Sequence, residues 1–180
     1  MQTLPILLLT VFLVGVAIAL WATPIYNRLF RLEKLAENSW GDLNKQLKRR
    51  YGFVPDLLNE TGAYMGHEQG LLNQITQTLE QAKVLANSAS KENHKQIITL
   101  ELMLSDLLRR FVVTTANQPG LKVSNHYREQ HLQLVEIENA IQMAQHHYNN
   151  AAQSYNAAVT SKSDALIARV FKFKPLPLFM

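Results

Sequence analysis

Residues 4–23, LPILLLTVFLVGVAIALWAT, carry no charged side chain. A helix rises 1.5 Å per residue, so about 20 such residues cross a bilayer core of about 30 Å. A surface helix of a water-soluble domain buries a single stripe, whereas this run is apolar all round. The sequence therefore predicts a membrane-spanning helix over about 4–23, with residues 1–25 as an anchor. The AIA at residues 17–19 would suit cleavage of a secretory leader, but the cationic start of such a leader is missing, which favours a retained span.

Charge placement orients that span. Residues 24–50 hold the cations Arg28, Arg31, Lys34, Lys45, Lys48, Arg49 and Arg50 against the anions Glu33, Glu37 and Asp42, and the rest of the chain is balanced. The whole excess of +4 thus follows the apolar run. Cations concentrate on the cytoplasmic side of a span, so the N-terminus is expected outside and the bulk of the chain in the cytoplasm, as in a single-pass protein of the cell membrane. Trp21, Tyr26, Arg28 and Arg31 are the expected membrane interface on that side.

Beyond Pro24 the apolar residues recur at helical spacing. Leu29, Leu32, Ala36, Trp40, Leu43 and Leu47 form one face; Leu58, Thr61, Met65, Leu72, Ile75, Leu79 and Ala82 continue the rhythm. Gly62, Gly66 and Gly70 thin one stripe of it, which reads as a groove for close helix approach rather than a lipid-facing dimer motif, the surroundings being too polar. A polar loop at 87–93 precedes a third amphipathic stretch, Ile97 to Phe111, and the turn signature NQPG at 117–120 precedes a fourth. In that last stretch Tyr127, Leu134, Ile141, Tyr148 and Tyr155 repeat every seven residues, the mark of a long helix in a left-handed bundle. Asn149 and Asn156 stand one position over and are expected to bond to neighbouring helices.

The fold class expected is all-α: the anchor, then an antiparallel up-and-down four-helix bundle over 26–162, with helices at about 26–50, 54–86, 92–116 and 121–161, and an aromatic and basic tail over 163–180. Such a bundle returns its C-terminus to the bilayer. Phe171, Lys172, Phe173 and Lys174 in the tail suit a membrane interface; a tail folded back over the bundle is the other outcome open.

The segment LKRRYGFVPDLL at 47–58 sets Lys48, Arg49, Arg50 and Tyr51 against Pro55. Cations favour the last turn of a helix and proline the first turn of the next, so a corner is expected, with a kink in one helix as the alternative. On a straight helix Arg50 stands roughly 40 Å from the bilayer, far beyond a Debye length of about 8 Å. Lys48, Arg49, Arg50 and Tyr51 therefore read as a distal tip for cytoplasmic partners.

Reactive chemistry finds no foothold. The chain has no cysteine. HEQGL at His67 begins like a zinc-protease motif, but Leu71 stands where the second ligand is required. His146 and His147 are adjacent and diverge by about 100° on a helix, which reads as polar surface; His67, His94, His126 and His131 read as partly exposed. No nucleophile elbow or phosphate loop emerges, and the paired carboxylates Glu136 and Glu138, two residues apart, face different directions, so no general acid and base pair is formed. No metal, cofactor or nucleic-acid partner is expected, and the expectation is a protein that is not an enzyme.

Several pieces together resemble the LemA family: the Tyr26-Asn27 start, Trp40, LKRR with Pro55, His67-Glu68, Leu121-Lys122, Glu138-Asn139, the YN pairs at 148 and 155, and the closing LIARVFKFKPLPLF. The chain departs from the family pattern at QPGLK and at Ala144-Gln145. The resemblance implies a bacterial membrane protein with a short outer N-terminus, one span and a cytoplasmic helical domain. It implies no catalytic residues, since the family has no established biochemical activity. Relatives associated with membrane-organelle formation, or encoded beside membrane metalloproteases, suggest a scaffold or adaptor. The expected partners are membrane lipids, other membrane proteins, a membrane protease among them by family analogy, and further copies of the chain. Membrane shaping through oligomerisation and the tail is the alternative function.

Overall fold

The computed structural model describes residues 3–66, 68–88, 91–118 and 124–179. Among these, the α-helices in chain order are α1 (Thr3–Gly62), α2 (Gln69–Asn87), α3 (His94–Ala116), α4 (Asn125–Thr160) and α5 (Ala165–Val170), with a 3-10 turn at Lys91–Asn93. No strand occurs among the described residues, so the all-α expectation holds.

The chain divides into two compact units, and α1 and α4 contribute to both. The first comprises residues up to Asn38 and Asn150–Leu176; the second comprises Ser39–Asn149 and the chain from Pro177. The tail is thus shared between the units instead of forming a separate segment from 163.

In the first unit Leu29 of α1 packs with Tyr155, Ala158 and Val159 of α4 and Ile167 and Ala168 of α5, flanked by Ile25, Tyr26, Leu32 and Phe173. Short α5 stops by a paired backbone closure: Phe173 N–H donates to Ala168 O at 2.9 Å and Lys172 N–H to Arg169 O at 3.3 Å. This closure places Lys172 at φ 60°, in the left-handed region usually given to glycine.

In the second unit the heptad pattern is realised. Trp40, Leu43, Leu47, Leu72, Ile75, Leu79, Ile97, Leu104, Phe111, Leu134, Ile137, Ile141 and Tyr148 are buried on facing sides of the four helical segments. Contacts fix directions here. Arg49 meets Glu136 and, farther along α1, Glu60 meets His126, so α1 and α4 run antiparallel. Trp40 meets His94 while Arg50 meets Ser105, so α1 and α3 run parallel.

Three sequence expectations fail in this unit. The chain does not turn at 51–53: α1 passes through Pro55 and ends at Gly62. An internal proline costs about 3 kcal/mol. Val54 and Leu57, both buried beside it, contribute about 1.5–3 kcal/mol each, enough to carry the helix through. The reversal lies instead at Ala63–Glu68, closed by Tyr64 N–H to Thr61 O at 3.0 Å and Glu68 N–H to Met65 O at 2.8 Å, inside the expected 54–86 helix. Periodicity missed it because Met65 in the turn is itself buried, so the apolar rhythm runs unbroken across the corner. The glycine groove is also absent: a methyl added at Gly66 or Gly70 would meet nothing within 4 Å, and at Gly62 it would only touch Leu72 at 4.0 Å. His67 and the Leu121-Lys122 pair lie outside the described residues.

Candidate functional site

Of the four residues expected at a distal tip, Lys48 and Arg49 are exposed, Arg49 donating to Glu136 at 3.0 Å. Arg50 and Tyr51 are buried and cannot be presented to a partner. The helix carries successive residues about 100° apart, and the face that buries Leu43, Leu47, Val54 and Leu58 also takes Arg50 and Tyr51 inward. A run of cations in a sequence does not reveal which member faces the core.

What the core does with Arg50 is the most specialised chemistry in the second unit. Its guanidinium bonds Glu101 of α3, donates to Ser105 at 2.9 Å, and donates to Glu138 of α4 at 2.9 Å. The Tyr51 hydroxyl donates to the other oxygen of Glu101. Arg50 and Glu101 are 0% exposed. Burial opposes the Arg50 charge, but Glu101 and Glu138 outweigh it and hold its pKa above the ordinary guanidinium value. Burial likewise raises the pKa of Glu101, against the pull of Arg50 and the Tyr51 hydroxyl. Tyr51 is pushed well above a normal phenol, first by burial and then by the Glu101 carboxylate. Two carboxylates face one guanidinium, and Glu138, 24% exposed, leaves the extra charge where water reaches it.

This network has directional bonds to three helices and no open face on its central pair. It ties α1 to α3 and α4 through side chains that each have one bonding geometry. Ser105 and Glu138 border a cleft of about 270 Å³ between α3 and α4, walled by Leu108, Val112 and Leu134.

Tyr148, Asn149 and Asn156 bond the tail, where the two asparagines were expected to reach neighbouring helices. In the second unit Tyr148 donates to Pro177 O at 2.8 Å, and the Asn149 amide both donates to Phe179 O at 2.9 Å and accepts from Phe179 N–H at 3.0 Å. Burial pushes the Tyr148 hydroxyl up to about 12. Phe179 is buried beside Trp40 and Tyr148, whose ring centroids lie 6.3 and 6.1 Å away, and His94 stacks on Trp40 at 3.7 Å, buried rather than exposed. In the first unit Asn156 makes the same double bond to Leu176, at 2.8 and 2.7 Å. Seven residues of helix rise about 10.5 Å and three of extended chain span about 10 Å, so asparagines one heptad apart match backbone positions three apart. The repeat was visible in the sequence; its partner, a strand-like tail without a sheet, was not.

The expected membrane-interface residues gather in the first unit. Tyr26 packs against Phe171 and Phe173, with centroids at 4.8 and 5.8 Å. Trp21, Arg31, Phe171, Lys172 and Lys174 are exposed, and Arg28 meets the buried Asp164 at 3.3 Å. The tail is therefore packed back along the helices while still presenting Phe171 and two lysines beside Tyr26.

Among the described residues no group of His, Asp or Glu side chains is placed to hold a metal ion. His146 and His147 diverge as their adjacency requires, with centroids 6.4 Å apart. Comparison with protein families matches residues 39–180 to the LemA family, leaving the Tyr26-Asn27 start outside the match. Comparison with curated proteins returns no match.

Proposed function

The chain belongs to the LemA family, and from that premise we propose a non-enzymatic scaffold or adaptor, anchored in a membrane by α1 and self-associating there. One observation carries the anchoring. Among the described residues of the N-terminal part of α1, the apolar side chains from Val11 to Leu20 are all exposed, as are Leu8 and Leu9, with Leu8 62%, Phe12 66% and Leu20 73% exposed. Monomeric soluble proteins rarely expose contiguous apolar patches beyond a few hundred Å². That part of α1 is long and apolar enough to cross a bilayer. The Tyr26, Phe171 and Phe173 cluster, with Lys172 and Lys174, supports an interface at its end, where aromatic rings and cations sit at headgroup depth.

The scaffold part of the reading rests on how the second unit is specified. A core fixed by a buried ion network and a strapped tail presents a constant surface, as an adaptor requires. The cation excess after the apolar run supports an orientation with the N-terminus outside and the second unit in the cytoplasm.

Carbonate extraction of cell membranes should leave the full chain in the pellet, and a reporter fused after Met180 should be active only in the cytoplasm. Release into the supernatant would sink the anchoring, and a reporter active only outside would reverse the orientation. Native mass measurement in mild detergent should find more than one copy per particle; a strict monomer would remove the self-association.

A further inference from the structure

One groove of the second unit is used neither by the buried network nor by the tail. It runs between antiparallel stretches of α1 and α4, near the tie from Glu60 to His126 at 2.8 Å. Phe53, Asp56 and Glu60 on α1 face His126, Glu129 and Gln130 on α4 across about 640 Å³, within the usual size of a ligand cleft. The spacings i, i+3, i+7 and i, i+3, i+4 put each set on one helical face. Three carboxylates stand against a single imidazole, and that imidazole is already bonded to Glu60.

An acidic stripe alone is a solvated surface. Gln130 makes this one different. It is only 7% exposed, and its Oε1 accepts no hydrogen bond from any described residue. A buried acceptor left without a donor costs about 1–3 kcal/mol, which a donor supplied from outside would recover. Phe53 adds an aromatic surface in the same groove, a favourable neighbour for a cation.

We propose that this groove binds an arginine side chain of a basic polypeptide segment. Asp56 and Glu129 take the charge, Phe53 packs against the guanidinium or its stem, and the Gln130 amide, whose Oε1 has under 1 Å² open to water in the free chain, turns into the groove to accept one N–H. Arginine fits better than lysine because its planar fork offers several donors at once to separated oxygens. A bare divalent ion fits less well, since no group of acidic and histidine side chains among the described residues is close enough to hold one. The inference stands on the groove's own residues and is independent of the anchoring proposed above; it gives the adaptor reading a class of partner.

The test uses the full chain in nanodiscs of neutral phosphatidylcholine, so that anionic headgroups do not compete. A short fluorescent peptide of alternating arginine and glycine is titrated at physiological salt and followed by anisotropy. Saturable binding is expected, weakened about tenfold by Asp56→Asn with Glu129→Gln, a loss of around 1.4 kcal/mol for the two charge contacts together. Both positions are exposed, so folding should be untouched. Gln130→Met should weaken binding several-fold with the helical circular dichroism unchanged. The double variant Glu80→Gln with Asp106→Asn removes the same charge outside the groove and should leave affinity within about twofold, as expected for distant exposed charges in salt. Absence of saturable binding, or equal losses in the two double variants, would overturn the proposal. So would calcium binding that depends on Asp56 and Glu129, which would make the groove a metal site.

Discussion

The interior of the first unit is a packed apolar cluster, Leu29 against Tyr155, Val159 and Ile167, and its buried carboxylate, Asp164, meets a largely exposed Arg28. The interior of the second unit contains an arginine and a glutamate removed from water altogether. Apolar packing is non-directional: it rewards burial and tolerates small shifts in register. A buried ion network rewards one alignment only, since any slip leaves a charge without its partner. The interior of the first unit is thus held by apolar area, and that of the second also by the geometry of an ion network.

The sharpest way to break that comparison is Arg50→Met, set beside Leu29→Met. The first strands Glu101 in the core with only Tyr51 to bond it, and should cost about 3–5 kcal/mol. The second conserves volume and shape in an apolar cluster and should cost less than about 1.5 kcal/mol. Adding Glu101→Met to Arg50→Met should restore most of the loss, because the penalty is the orphaned charge and not the missing bond. Denaturant unfolding of the full chain in one detergent, followed by circular dichroism, measures all four proteins. Equal costs for the two single variants would mean that the buried network does not distinguish the units.

A smaller effect separates the two asparagine clamps. Asn149→Ala and Asn156→Ala each deprive one tail residue of both a donor and an acceptor, worth about 1–3 kcal/mol. Asn149 also retains Phe179 against Trp40 and Tyr148, so its loss should be the greater. Carboxypeptidase digestion should trim Asn149→Ala faster than Asn156→Ala, and both faster than the parent chain. The opposite order would show that the Leu176 clamp, in the first unit, carries the tail.

These contrasts bear on what could be read without coordinates. The helical faces were legible, because 3.6-residue periodicity reports burial directly: Leu43, Leu47, Ile75, Leu79, Leu104, Ile141 and Tyr155 all lie where the spacing put them. So was the apolar run of α1. The Ala63–Glu68 reversal was not, because Met65 keeps the rhythm while the backbone turns. Arg50 was misplaced because hydrophobic patterning assigns every cation to the surface; the clue lay in matching it with Glu101 and Glu138, a pairing set by tertiary distance and not by spacing. The acidic groove escaped for the same reason, its two halves being about 70 residues apart in the chain.

The smallest effect tests the first unit's dependence on local geometry. Lys172 holds φ 60° to complete the closure of α5, a conformation that costs a residue with a Cβ about 1–2 kcal/mol and glycine nothing. Glycine gives back part of that gain through the greater freedom of its unfolded chain, about 0.5–1 kcal/mol. Lys172→Gly should therefore stabilise the protein by under about 1 kcal/mol, a rise in melting temperature of at most about 2–4 °C at this chain length. Lys172→Ala keeps the strain and removes the charge, so it should not gain. The pair of variants separates backbone from headgroup contact: in anionic nanodiscs, a loss shared by both would mean that the Lys172 ammonium touches lipid, because only the charge is common to the two changes. A gain confined to glycine in both neutral and anionic discs would assign Lys172 to the backbone alone, leaving other exposed cations of the first unit, Lys34 over the Phe30 ring among them, to meet headgroups.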